Sequence, residues 1–207
     1  MTIPAYHNVT RNYDIVRYVP VIALLVCWLA LPAAAQVILY SNGPDAGIGY
    51  SHVNFGASTT DSFALSRAAT LTGAILTIYA VNDGNPPERL KWSITTQPFE
   101  QNTIASGFAL LGLLNGPYIT PFGYFAWEMK VQLPNVNLQP GTYWLQVQDV
   151  TTRFDTWSFW AESVGPSTAY HLEVGSSGYG TVTPVTSNSF ALLGSWLTRR
   201  APETPRQ

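Results

Sequence analysis

The stretch YFAWEMKVQL, residues 124–133, decides the fold class. Phe125, Trp127, Met129, Val131 and Leu133 fall on one parity; Tyr124, Ala126, Glu128, Lys130 and Gln132 fall on the other. A period of two with one polar face is the signature of a strand lying with one side on a core. TYWLQVQDV, residues 142–150, repeats it: Tyr143, Leu145 and Val147 alternate with Trp144, Gln146 and Gln148. ATLTGAILTIYAV, residues 69–81, reads as a long strand with a bulge or bend at Gly73.

Working outward, further strands are expected at 37–41, 50–55, 61–65, 89–95, 155–161, 168–174 and 188–193. The run 103–114 fits a strand or irregular structure better than a helix, because it carries Gly107 and Gly112. Turn signals such as SNGPDAG, VNDGNPPE, LQPGT and SVGPS separate these segments, and 176–189 reads as a long loop. Gln139-Pro140-Gly141-Thr142 has the residue order of a type II turn. The expectation is an all-β, two-sheet antiparallel β-sandwich, jelly-roll-like, of about nine strands. Composition agrees: aromatic residues make up 13%, charged residues only 11%, with 16 Gly and 15 Pro.

The N-terminal segment reads as an export signal. Arg11 and Arg17 precede the apolar run VPVIALLVCWLALP at 19–32, and AAAQ follows at 33–36. The run is short for a membrane span and ends in small residues, so cleavage is expected after Ala35. Cys27, the one cysteine, lies within that signal, which leaves the mature chain without disulfides. The domain plan is a signal peptide at 1–35, a β-sandwich at 36–194 and a polar, disordered tail at 195–207. The expected location is secreted, extracellular or periplasmic, with no stable membrane span after cleavage. A net charge of −2 and the absence of a basic run before Arg199-Arg200 argue against nucleic-acid binding.

Four segments follow one another in a recognisable order. They are TTDSFALSRAATLTGAILTIYAV (59–81), LQPGTYWLQVQDV (138–150), WSFWAESVGPSTAY (157–170) and SNSFALLG (187–194). This series resembles secreted bacterial β-sandwich proteins, many of which end in a PEP-CTERM sorting signal. The resemblance covers 59 to 194 and implies export from a Gram-negative bacterium and a sandwich fold. It implies no activity, and the sequence given shows no PEP-CTERM signal.

The chemistry-bearing residues are sparse. His52 and His171 lie in no nucleophile motif, so both read as strand histidines. Asn82, Asp83, Asn85 and Glu88 read as a hairpin turn before a calcium loop, as does the turn holding Asp45. No cofactor is called for, although sandwich domains do use structural calcium. A glycosidase needs two carboxyls across a cleft. Glu128 pairs with Lys130 on its own strand, Asp155 and Glu162 sit at opposite ends of one, and Asp149 matches no hydrolase motif, so the chain reads as a non-enzyme. In DTWSFWAE, Trp157 and Phe159 share one face, expected to be core; Trp160 shares the other with Ser158. Trp160 is thereby left for contact, as Trp144 is beside Gln146 and Gln148. The expected ligand site is Trp144 and Trp160 as stacking platforms with Gln146, Gln148 and Glu162 as hydrogen-bonding neighbours. The partner expected is an extracellular polysaccharide or, alternatively, a cell-surface protein.

Overall fold

The computed structural model describes residues 36–81, 84–99, 102–175 and 180–198. The segment read as a signal peptide, and Asn82 and Asp83, lie outside the described residues. Twelve strands are formed: β1 (Val37–Ser41), β2 (Tyr50–His52), β3 (Ser58–Leu65), β4 (Ala69–Ala80), β5 (Arg89–Thr95) and β6 (Thr103–Ile119), then β7 (Phe125–Leu138), β8 (Gly141–Thr151), β9 (Ser158–Ala161), β10 (Ala169–Val174), β11 (Gly180–Val185) and β12 (Phe190–Trp196). All pairings are antiparallel, in the order β1-β12-β4-β7-β6-β5-β8-β3-β10-β11, with β9 on β4 and β2 on β9. The chain is thus all-β, a curled antiparallel sheet of twelve strands instead of nine.

The sheet turns its corner within β6. Residues 103–110 pair with β5, and residues 111–119 pair with β7. The halves of β6 therefore belong to two arms of the sheet, and one apolar cluster takes side chains from both. Ile78, Trp127 and Trp160 come from the first arm; Phe63, Trp92 and Leu145 come from the second. Each large side chain so buried contributes roughly 1.5–3 kcal/mol. This burial carries residues 36–207, which contain no cysteine.

The alternation of 124–133 holds from Trp127 onward: Trp127, Met129, Val131 and Leu133 are buried in the core, while Phe125 is half-buried and Ala126 is buried in a second cluster on the other face. The irregularity expected at Gly73 is a register shift between Leu71 and Gly73 on β7. Other expectations are corrected. β11 occupies part of the expected loop 176–189; as an outermost strand paired, among the described residues, only with β10, it tolerates Pro184. The turn 139–142 is not type II, because Gly141 is outside the left-handed region and already pairs with Leu65. The corner is closed by the Tyr143 hydroxyl, which donates to the Gln139 carbonyl at 2.9 Å. The tail also starts later than 195. Ser195 and Trp196 complete β12, and the Arg67 guanidinium lies 4.4 Å from the Trp196 ring centroid.

Gly194 ends the SNSFALLG motif at a bulge in the β12–β4 ladder. A Cβ there would run into the Thr70 carbonyl and sit 2.7 Å from Leu39 Cδ1. Gly194→Ala is expected to lower stability by about 2 kcal/mol or more, whereas Gly84→Ala, with open space around it, should stay within about 0.5 kcal/mol. The midpoints of denaturant unfolding measure both.

Candidate functional site

The five expected site residues do not converge. Trp144, Gln146 and Gln148 share the outer face of the second arm. Trp144 packs on Tyr170 of β10 at 5.6 Å, and Gln146 Nε2 donates to Gln148 Oε1 at 2.8 Å. Gln146 is buried. Gln146 and Gln148 line a groove of about 220 Å³ with Ser58, Phe99, Leu172 and Val174. Phe99 stands between it and a second groove, and its backbone is left-handed with φ 59°.

Trp160 is corrected from exposed platform to core. All four residues of β9 are buried, so both of its faces are covered. Trp160 pairs with Ile78, is fully buried, and donates its indole N–H to the Ser189 carbonyl at 2.8 Å. Glu162 is likewise away from Trp144. It follows β9, bridges to Asn188 and takes the Ser51 hydroxyl at 3.4 Å, and burial pushes its carboxyl above the ordinary range. The parity reading of DTWSFWAE holds, but the faces are inverted. Trp157, Phe159 and Ala161 point outward, and the outer face is itself aromatic.

That outer face of the first arm is where the structure concentrates its accessible rings. Trp157 is 52% exposed and stacks on His52 at 4.4 Å and 29°. Phe55, 57% exposed, meets Trp157 edge-on at 5.5 Å. The row continues through Phe159, 5.3 Å from His52, to Tyr124 stacked on it at 5.5 Å and 11°, and to Tyr50 at 4.6 Å. Phe122 closes the row, 5.0 Å from Tyr50.

Local chemistry holds the exposed end of the row in place. Asn54, Phe55, Gly56 and Ala57 form a tight turn, closed by Ala57 N–H to Asn54 O at 3.0 Å. Its central residues have φ 52° and 88°, the signs of a type I′ turn. Glycine suits such a position; phenylalanine costs of order 1–3 kcal/mol. Asn54 is buried, and its amide donates to Thr156 O at 2.8 Å. Its Oδ1 accepts from Ser158 N at 3.1 Å and lies 2.7 Å from His52 Nε2. One side chain thus ties the turn, the histidine and both neighbours of Trp157. Burial pulls the His52 imidazole below its ordinary value, so the stacked ring is neutral at pH 7.

Next to this row lies an open groove of about 500 Å³, lined by Ser41, Asp45, Thr77, Asn115, Tyr118 and Glu128 among others. Tyr79, 6.3 Å from Tyr50, joins the row to the groove side. Asp45 accepts from Gly47 N at 2.8 Å and from the Tyr118 hydroxyl at 3.1 Å. Burial, then Asp45, push the Tyr118 hydroxyl up. Of the acids weighed as glycosidase pairs, Glu128 lines this groove while Asp149 lines the groove on the second arm. Among the described residues no group of three or more His, Cys, Asp or Glu is placed to hold a metal ion.

A different cluster collects the motif segments. Asp61 is fully buried, and its Oδ2 accepts from Asn188 N at 2.5 Å, Asn42 Nδ2 at 3.1 Å and Ser187 Oγ at 3.3 Å. Ser167 joins through Asn42 at 2.7 Å and Ser187 at 2.6 Å. Gly165 leaves no room for a Cβ beside the Asn42 carbonyl. DSF, GPS and SNSF therefore meet in one buried polar knot, a structural use of residues that sequence reading left without a role. No protein-family model and no curated protein matches the chain.

All the partners of Asp61 named here are neutral. Burial pushes its carboxyl from an ordinary 3.8 up to about 7, with hydrogen bonds led by Ser167 and Asn188 holding part of the rise back. A raised carboxyl favours folding while protonated. The contribution of Asp61 to stability is then expected to be fully present below about pH 4 and to fall by a few kcal/mol as pH rises to about 7, levelling off above. Asp61→Asn should flatten that slope. Urea unfolding at a series of pH values checks both.

Proposed function

We propose that the protein is an exported, non-catalytic, glycan-binding protein with a jelly-roll-like sandwich architecture, its two arms serving as the two sheets. Supporting export are the signal-like segment at 1–35 and the resemblance to secreted β-sandwich proteins of Gram-negative bacteria. The observation that carries the binding reading is the row of rings ending in Trp157 and Phe55. A pyranose presents an apolar face of C–H groups, which packs on an indole or phenyl ring held flat and dry on its reverse side. Trp157 has that backing from His52. The adjoining groove offers Ser41, Thr77, Asn115 and Tyr118, together with the carboxylates of Asp45 and Glu128. Sugar hydroxyls are recognised by such donors and acceptors.

Strain adds to the case. A phenylalanine kept in the left-handed region, half exposed and pressed edge-on to Trp157, serves no core. Backbone strain of this kind gathers at binding sites, where geometry outweighs stability. On this reading the stacking residues are Trp157 and Phe55, taking the place of Trp160. The partner class is a polysaccharide of the cell exterior.

Retention on a panel of insoluble polysaccharides tests the proposal. Trp157→Ala is expected to weaken retention about 10-fold or more, from the lost ring area. Phe55→Asn should weaken it too while raising stability by about 1 kcal/mol, because asparagine accepts the left-handed conformation. Trp144→Ala, on the opposite arm, should leave retention unchanged. Wild-type retention by both Trp157→Ala and Phe55→Asn would overturn the proposal.

A further inference from the structure

The groove of about 500 Å³ beside the aromatic row carries an unbalanced charge. Asp45 and Glu128 both line it, and among the described residues no Lys, Arg or His does. Both acids are half-buried. Asp45 accepts from Gly47 N at 2.8 Å and from the Tyr118 hydroxyl at 3.1 Å. The Glu128–Lys130 pair expected along β7 is not made: the Lys130 ammonium donates to Gln36 Oε1 at 3.3 Å. Tyr118 lies in the field of both acids. Burial first, then Asp45 and Glu128, push its hydroxyl up. The two carboxylates therefore act on one place in the groove.

A second observation comes from behind Asp45. Thr77 and Tyr79 stand two residues apart on β4 and share its outer face, where Thr77 lines the groove. Tyr79 is fully buried, and its hydroxyl makes no hydrogen bond. It is aimed at this end of the groove: burial first, then Asp45, then Tyr118, push it up. A buried hydroxyl without a partner is uncommon and costly. Its oxygen is free to accept a hydrogen bond as well as to donate one.

We propose that this groove binds the protonated amine of a glycan whose hexosamine units are not N-acetylated. On the glycan-binding reading, on which this rests, the ligand is thereby narrowed to a cationic polysaccharide. Calcium takes about six to eight oxygen ligands, and among the described residues no group of three or more His, Cys, Asp or Glu is placed to hold a metal ion. A sugar hydroxyl or an acetamide brings one donor and no charge. An ammonium brings three donors and a positive charge. Lying between two half-buried carboxylates, it gains from both and relieves their mutual repulsion. Ser41, Thr77 and Asn115, on the same groove, are left for the hydroxyls of the same sugar.

Calorimetric titration of the purified full chain with two soluble hexamers tests the proposal. One is β-1,4-linked glucosamine and the other its N-acetylated counterpart, both at about pH 5.5, where hexosamine amines are protonated. The amino hexamer is expected to bind about 10-fold more tightly or better. Raising salt from about 0.01 M to about 1 M, which shortens the screening length from about 30 Å to about 3 Å, should remove most of that preference. Glu128→Gln should weaken the amino hexamer about 10-fold and leave the acetylated one unchanged, and Asp45→Asn should do the same. Asp149→Asn, the same loss of charge on the second arm, should bind both hexamers as the wild type does. The unfolding midpoint of Glu128→Gln should stay that of the wild type. An amino hexamer bound no more tightly than the acetylated one, or a preference that survives both groove substitutions, would overturn the amine site and leave retention by the aromatic row standing. A lysine hexapeptide bound as tightly as the amino hexamer would overturn it in favour of a basic protein segment. An amine preference that persists while Trp157→Ala and Phe55→Asn change nothing would support the groove and count against the row.

Discussion

The buried carboxyl of Asp61 is the constraint on which the architecture depends. Its partners come from the loop after β1 and from the segment between β11 and β12, with the GPS turn before β10 attached through Asn42 and Ser187. These segments lie 19 to 127 residues from Asp61 in sequence. Closing such contacts costs loop entropy, and the low dielectric of the site makes any unmade hydrogen bond expensive. The knot is therefore cooperative: losing Asn42, Ser187 or the close approach at Gly165 takes hydrogen bonds from a buried carboxyl. This explains why DSF, GPS and SNSF occur together in one chain without forming a reactive site. They specify where β1, β3, β10 and β12 meet.

Such a knot is close to invisible in sequence, whereas the strands are not. Period two in 124–133 and 142–150 gave the right strands and the right buried parity, because each has one face on the core. Where a strand is covered on both faces, parity names two faces and cannot say which is inner. β9 is that case. Counting aromatics pointed to Trp157 and Phe159 as core, yet the outer cluster of Tyr50, Tyr79 and Tyr124 is aromatic too. β6 was obscured by its glycines. Gly107 lies over the Trp92 indole, which would be 3.5 Å from a Cβ there, an ordinary contact, so its place in the strand is not forced by close approach. Gly116, with φ 111° and the Ala126 carbonyl against it, marks the irregular second half. β11 was hidden by Pro184, which only its outermost position permits.

The candidate site was half legible for a related reason. Trp144, Gln146 and Gln148 lie on one strand, so their common face follows from spacing alone. Trp157, His52 and Phe55 come from two separate segments, joined by Asn54 hydrogen bonds that no local pattern reveals. The one local clue is Asn54-Phe55-Gly56-Ala57. A bulky residue before glycine in a tight turn is a poor choice for stability, which sets this turn apart in the sequence.

On the proposed reading, the buried and the exposed rings of the aromatic row divide the work of binding between them. Tyr79 and Phe159 are buried, so they cannot touch a ligand, but they fix the rings that can. A ligand stacking on a ring already immobilised does not have to order it, and that saving is of the order of 0.5–1.5 kcal/mol per side chain. On that reading the cost is met in folding, by burying the middle of the row and straining Phe55 at its end. A chain without disulfides in residues 36–207 can sustain that strain only because the core between the arms and the Asp61 knot hold the flanking strands. Rigidity at the exposed rings is in this sense inherited from the interior, through β2 and β9, the two short strands that carry His52, Tyr50 and Phe159 on the outside and Trp160 within.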